Sequence, residues 1–348
     1  MSSKNLTSDA IQLLKDLIEI PSFSSEEHHT AKRIEEWLNV NDIPFNRHQN
    51  NIWAVNRYFS ASKPTLLLNS HHDTVKPNNG YTKDPFKAQV ESGKLYGLGS
   101  NDAGGCLVSL MATFTHFYAQ KDLNYNLVIV ASAEEESSGK AGLNSMLSII
   151  PKVDVAIVGE PTLMQLAVAE KGLVVFDAVI KGTPGHAAHP NSDNAIYNAI
   201  KVLEWFKGYE FEKTSDSLGP VKLTVTQINA GKQHNAIPAG VELVVDVRVN
   251  DQYSNSEITD ILQKLAPCDS IIPRSLRLNS SSIPLEHPLV QAGIEIGRET
   301  YGSPTLSDQS VLSCPSLKLG PGDSTRSHTA NEFIYISEIE EGIALYIQ

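Results

Sequence analysis

Residues 65–73 read TLLLNSHHD, an apolar run of five ending in serine, two histidines and an aspartate. A run this short and this apolar is the signature of a strand buried on both faces, as in a sheet covered by helices on either side. Three further runs share the pattern, at 127–133 (LVIVASA), 155–158 (VAIV) and 317–319 (LKL). Polar, chemistry-bearing residues follow each: Glu134, Glu135 and Glu136 after the second, Gly159 and Glu160 after the third, and Gly320 to Asp323 with His328 beyond after the fourth. In open α/β sheets the ligand crevice lies outside the carboxyl ends of the strands. Four strand ends therefore deliver imidazoles and carboxylates to one rim. Asp102 joins them from the glycine-rich turn 97–102, ahead of a helix expected over 103–117. The histidines and carboxylates gathered there, with Asp102, make this rim the candidate metal site. Each is weak alone, since a His-x-Asp pair or a Gly-Glu-Pro turn is common. Charge directly after a buried strand, however, is costly unless paired or metal-bound.

Working outward, 11–18 shows helical spacing after Ser8, a candidate N-cap. Ser24 to Glu27 reads as a capping box before a second helix. From about residue 173 the texture changes. Segments 173–180, 221–228 and 241–249 alternate apolar and polar residues, as strands with one solvated face do, and 195–206 is helix-like. The α/β texture returns after 282 and ends in a helix from about 337. The expected architecture is an α/β catalytic domain, a mixed sheet flanked by helices, formed by 1–172 and 283–348. A smaller α+β domain is inserted at 173–282.

The bulk numbers narrow the class. The chain has 348 residues, 41% hydrophobic and 20% charged, an ordinary globular mix. Three cysteines, with no CxxC pair, argue against a disulfide framework and leave any metal site to histidine and carboxylates. A net charge of −12 disfavours nucleic acid as a partner. No apolar run is long enough for a membrane span, and the N-terminus has no signal-peptide core, so a cytoplasmic protein starting near Met1 is expected. A serine hydrolase lacks its Gly-x-Ser-x-Gly elbow here. A dinucleotide fingerprint fails where Asp102 replaces the third glycine. A catalytically dead binding module would have lost part of the acidic set, which is complete.

Several segments resemble, in order, those of the zinc-dependent family that contains acetylornithine deacetylase, succinyl-diaminopimelate desuccinylase, aminoacylase and glutamate carboxypeptidase. They are SHHDTV (70–75), GLGSNDAGG (97–105), ASAEEESSG (131–139), VGEPT (158–162), GHAAHP (185–190), HNAIP (234–238), DVR (246–248) and GPGDSTRSHTANE (320–332). The resemblance implies a zinc-peptidase-like catalytic domain with an inserted ferredoxin-like lid that mediates homodimerisation. It implies two divalent ions per chain, zinc with cobalt or manganese as alternatives. His71 and Glu160 would hold one ion, Glu136 and His328 the other, and Asp102 would bridge. Glu135 would be the general base and Asp73 would orient His71. His186 would stabilise the oxyanion in the partner subunit's site, and Asn235 and Arg248 would bind a substrate carboxylate. Many relatives carry Asp-Met-Lys-Gly-Gly where this chain has Asp102, Ala103, Gly104 and Gly105, so a lysine is absent. The nearest branch is the acylornithine deacylases. The implied substrate is an N-acyl amino acid: N-acetyl- or N-succinyl-L-ornithine, or N-acetyl-L-citrulline, in arginine biosynthesis. A succinyl-diaminopimelate desuccinylase or a small dipeptidase or aminopeptidase of the same family is the alternative.

Overall fold

The structure, a computed structural model, describes residues 3–348. It divides into two compact units. The first holds the chain up to Val168 with Ser282–Tyr301 and Ser307–Gln348; the second holds Ala169–Ser281 and Gly302–Leu306.

The centre of the first unit is a mixed sheet in which the strands Asn51–Val55, Asn126–Ser132, Thr65–His71, Val155–Val158 and Ser316–Lys318 lie side by side in that order. The last four run parallel, while Asn51–Val55 is antiparallel to its neighbour. Successive side chains of a strand point to opposite faces. Leu66 and Leu68 accordingly join one core with helices Ser3–Ile18, Gly105–Phe117 and Ile336–Ile347, while Leu67 joins a second core with Val128, Val130 and Ala156. Both faces are apolar because both are covered, which is why these strands read as unbroken hydrophobic runs. The expected mixed α/β sheet is borne out.

The second unit is a four-stranded antiparallel sheet in the order Lys222–Ala230, Gly240–Val249, Gly172–Lys181, Ser270–Pro273. Helices Ala195–Gly208 and Asn255–Leu265 contribute Val202, Phe206, Ile258 and Leu262 to a core on one face. Along Gly172–Lys181 the buried residues alternate with less buried ones, Val174, Phe176, Ala178 and Ile180 pointing into that core. The chain order strand, helix, strand, strand, helix, strand is ferredoxin-like.

Local expectations failed where tertiary partners competed. The first helix spans Ser3–Ile18, so Ser8 is an exposed interior residue and not an N-cap; the buried Leu6 extends the helical stripe upstream. The capping box at Ser24 and Glu27 does not form. Ser24 Oγ donates instead to Asp73 Oδ2 at 2.7 Å, and Glu27 carries no capping bond to the helix His28–Val40. Helix Gly105–Phe117 starts later than expected, because Ser100–Gly104 forms a separate kinked turn in which Asp102 is non-helical (φ −116°, ψ 97°). Helix Asn255–Leu265 was not anticipated, although Ser254 and Glu257 supply a complete capping box.

Candidate metal centre

Each strand that ends at the rim places one part of the centre. His71 is the last residue of Thr65–His71 and is 1% exposed. Its Nε2 lies 3.4 Å from Asp102 Oδ1, 4.0 Å from Glu135 Oε2 and 4.0 Å from Glu160 Oε1. His328 Nε2 lies 3.0 Å from Glu136 Oε2 and 3.6 Å from Asp102 Oδ2. Asp102 thus turns one carboxylate oxygen to each imidazole. Ligand atoms of His71, Asp102 and Glu136 all fall within 4.8 Å of one another, as do those of His71, Glu135 and Glu160. The five sequence-derived ligand candidates and Glu135 are brought into one cluster.

Asp73 organises this cluster from behind. Its Oδ1 is 3.3 Å from His71 Nδ1, which makes a shorter 3.0 Å contact with the Asp73 main-chain carbonyl. The same carboxylate accepts the backbone N–H groups of Glu135 and Glu136, each at 3.1 Å. One residue therefore sets both the His71 ring and the turn that presents two acidic side chains. Burial opposes the Asp73 charge, but the His71 and Ser24 hydrogen bonds outweigh it and hold its pKa below the usual value. His72 points elsewhere, its Nδ1 2.9 Å from Thr30 Oγ1 and its Nε2 3.0 Å from the Asn50 carbonyl. Burial pushes its pKa down to about 4.

Three buried acids escaped the sequence reading. Glu332 accepts the backbone N–H groups of Gly99, Asn101 and Asp102 at 3.2, 2.8 and 2.9 Å, so it holds the turn that presents Asp102. Glu27 accepts from Asn50 Nδ2 at 2.8 Å and from the Glu134 N–H at 3.2 Å. Asp308 accepts from Ser132 Oγ at 2.6 Å, at the end of the strand that leads into the three glutamates. Glu332 lay within a recognisable segment, Glu27 was read only as the glutamate of a capping box, and no sequence pattern points to Asp308.

The electrostatics show what the cluster lacks. Burial raises the pKa of Glu160 to about 8, with the Asp102 charge adding to it and His71 and Lys318 only partly relieving it. Glu135 is raised well above the ordinary value by burial and by Glu160, Asp308 and Glu136, against relief from His71. Burial lowers the His71 pKa, yet bonds to Asp102 and Asp73 carry it well above normal, and the Glu136 bond lifts His328 to about 9. Acids reluctant to ionise beside imidazoles eager to protonate mark a site with surplus negative charge. A cation with oxygen and imidazole ligands, as zinc takes at about 2.0–2.2 Å, fits that donor set.

The remaining candidates lie in the second unit. Gly185–His186 pairs antiparallel with Ala236–Ile237, and the Asn235 carbonyl accepts the Ala187 N–H at 3.0 Å, so His186 and Asn235 sit together on one exposed ribbon. Arg248 lies on Gly240–Val249, where its guanidinium forks onto Asp246 at 2.9 and 3.2 Å.

Fold and centre together define a protein of α/β architecture built around a carboxylate–imidazole cluster. The chain belongs to peptidase family M20/M25/M40, whose profile matches residues 67–348, and it is an amidohydrolase of that family. A succinyl-diaminopimelate desuccinylase of Rickettsia felis is 26% identical over 97% of this chain and 97% of its own. An acetylornithine deacetylase of Shigella sonnei is 27% identical over 99% and 98%. A Bacillus subtilis protein described as a dinuclear metal binding peptidase shares the fold, with a TM-score of 0.77 at 16% identity over 99% of this chain and 97% of that one. Among the described residues, no helix is long and apolar enough to cross a membrane.

Proposed function

We propose that the protein hydrolyses the amide bond of an N-acyl amino acid, N-acetyl- or N-succinyl-L-ornithine or N-acetyl-L-citrulline, with two divalent ions held by its centre. The observation that carries this reading is Asp102, whose two oxygens face the two imidazoles across a cluster of glutamates. His71 and Glu160 would hold one ion, His328 and Glu136 the other, with Asp102 shared; zinc is the favoured metal, cobalt or manganese the alternatives. When bound, such ions supply Lewis acidity and bring the pKa of water down to about 7.

The chain's own residues do the rest. Glu135 takes a proton from the attacking water and returns it to the departing amine nitrogen, so that amide and water become amine and carboxylate. Its carboxylate stands beside the proposed ions, with Oε2 4.0 Å from His71 Nε2. Asp73 keeps His71 and the Glu135 turn in place. Residues 173–282 act as a lid that also forms a homodimer, with His186 stabilising the developing oxyanion in the partner's site. Asn235 and Arg248 bind the substrate carboxylate. Arg248 would exchange part of its Asp246 pairing for that anion. Exposed Ile196, Tyr197 and Ile200 on one helix of this unit supply apolar surface for such an interface.

Relatives named succinyl-diaminopimelate desuccinylase stand at the same distance as those named acetylornithine deacetylase, which supports the desuccinylase as a second reading. A structural neighbour named aminopeptidase keeps peptides in the panel. Steady-state kinetics of metal-loaded protein on acetyl- and succinyl-ornithine, acetylcitrulline, succinyl-diaminopimelate and short peptides decides among them. A kcat/KM highest for an ornithine or citrulline derivative is the expected result. A preference for succinyl-diaminopimelate or a peptide overturns the substrate assignment.

A further inference from the structure

The first unit contains a cavity of about 390 Å³ that the hydrolytic centre does not use. Its volume falls near the lower end of small-molecule sites, which run from about 300 to 1,000 Å³. Leu66, Leu68, Ile157 and Leu317, on three adjacent strands, form the floor, and Phe117 and Leu289 stand at the sides. Leu66 pairs on both sides within the sheet yet is only half-buried. On the same strand the cavity floor comes no nearer the metal centre than Leu68, three residues before His71, about 10 Å at roughly 3.3 Å per residue. Leu66 precedes His71 by five residues, about 16 Å at roughly 3.3 Å per residue.

One polar group in the lining is unsatisfied. Arg298 contributes to the wall, and its Nε is buried with no hydrogen-bond partner. A guanidinium carries its charge at every accessible pH and presents a fork suited to a carboxylate. The other polar groups make no such demand: the Tyr346 hydroxyl donates to the Leu319 carbonyl, Thr113 Oγ1 donates to the Ser109 carbonyl at 2.8 Å, and Tyr125, Glu295 and Gln348 are solvent-exposed. An apolar trough with one unpaired cation calls for an apolar molecule with one anionic end.

The geometry points to a binding site for an unbranched aliphatic carboxylate, its chain over the Leu66, Ile157 and Leu317 floor and its headgroup on Arg298. The site is independent of the hydrolytic reading and stands or falls separately from it. A ligand there touches Tyr346, which is bonded to Leu319, the residue before the Gly320 turn.

Isothermal titration of the full chain with hexanoate, octanoate and decanoate tests it, with decanol as the neutral control. The expected result is saturable one-to-one binding that tightens about fourfold per added methylene. Arg298→Gln should weaken decanoate about tenfold or more while leaving decanol unchanged. Ala292→Phe, at an exposed position of the lining, should block both by filling the cavity. Thermal melts of both variants establish that they fold. Absence of saturable decanoate binding in the millimolar range overturns the proposal. So does equal binding of decanoate by wild type and Arg298→Gln, or by wild type and a folded Ala292→Phe.

Discussion

Glu135 and its neighbour Glu136 differ by one position in sequence and by role in the proposed chemistry. Replacing a general base typically costs 10²–10⁴-fold in rate, about the range expected for Glu135→Ala, while metal content should stay near two ions per chain. Turnover of purified variant and elemental analysis on the same sample check this. Loss of an ion would make Glu135 a ligand, a role its 4.0 Å approach to His71 leaves geometrically open. Glu332 offers a second test. It touches neither imidazole but holds three N–H groups of the Asp102 turn. Glu332→Ala should loosen metal affinity about 10–100-fold, as removal of a residue that orients a ligand does. Competition with a chromophoric chelator reads that constant. An unchanged affinity in a folded variant would reduce Glu332 to a structural role.

At the scale of elements, the turn Ser100–Gly104 leaves little room for a side chain at its last residue. A Cβ on Gly104 would lie 2.5 Å from the Gly99 carbonyl oxygen and 2.6 Å from Leu14 Cδ1. Leu14 can shift, but the backbone oxygen accepts the Gly104 N–H and is fixed. Restoring the lysine with Gly104→Lys should therefore destabilise the chain by about 1–3 kcal/mol, the usual cost of overpacking. Denaturant titration measures it, and an undiminished midpoint would show that the turn yields freely. The same turn explains the misplaced helix start. Apolar periodicity from Ala103 onward is genuine, yet Glu332, some 230 residues away in sequence, binds the backbone N–H groups of Asn101 and Asp102 and holds the kinked turn that precedes the helix. The capping box at Ser24 is lost because the helix begins only at His28, while Ser24 donates its hydroxyl to the buried Asp73 carboxylate.

At the scale of the whole molecule, the proposed dimer makes a prediction that a monomer cannot satisfy. If His186 acts in the partner's site, His186→Ala and Glu135→Ala proteins are each nearly inactive alone. Unfolded together and refolded, they should regain about a quarter of wild-type activity, since half the dimers are mixed and each has one intact site. No recovery, with mixed dimers verified by mass, would place His186 elsewhere in the mechanism. Much of the architecture was legible in the chain, because burial on both faces writes itself as continuous apolar strands and a solvated face writes itself as alternation. The polar residues of the rim were legible in part, as histidines and carboxylates that follow such strands, while Asp102 comes from a glycine-rich turn. What the sequence could not carry is set by distance along the chain. Asp73 meets the Glu135 turn across some 60 residues, Asp308 meets Ser132 across 176, and Arg298 is left unpaired in a cavity shared by strands and helices from both ends of the chain. Local periodicity reports only which face of an element is buried. Which buried acid meets which donor, and which cation meets none, is decided by packing.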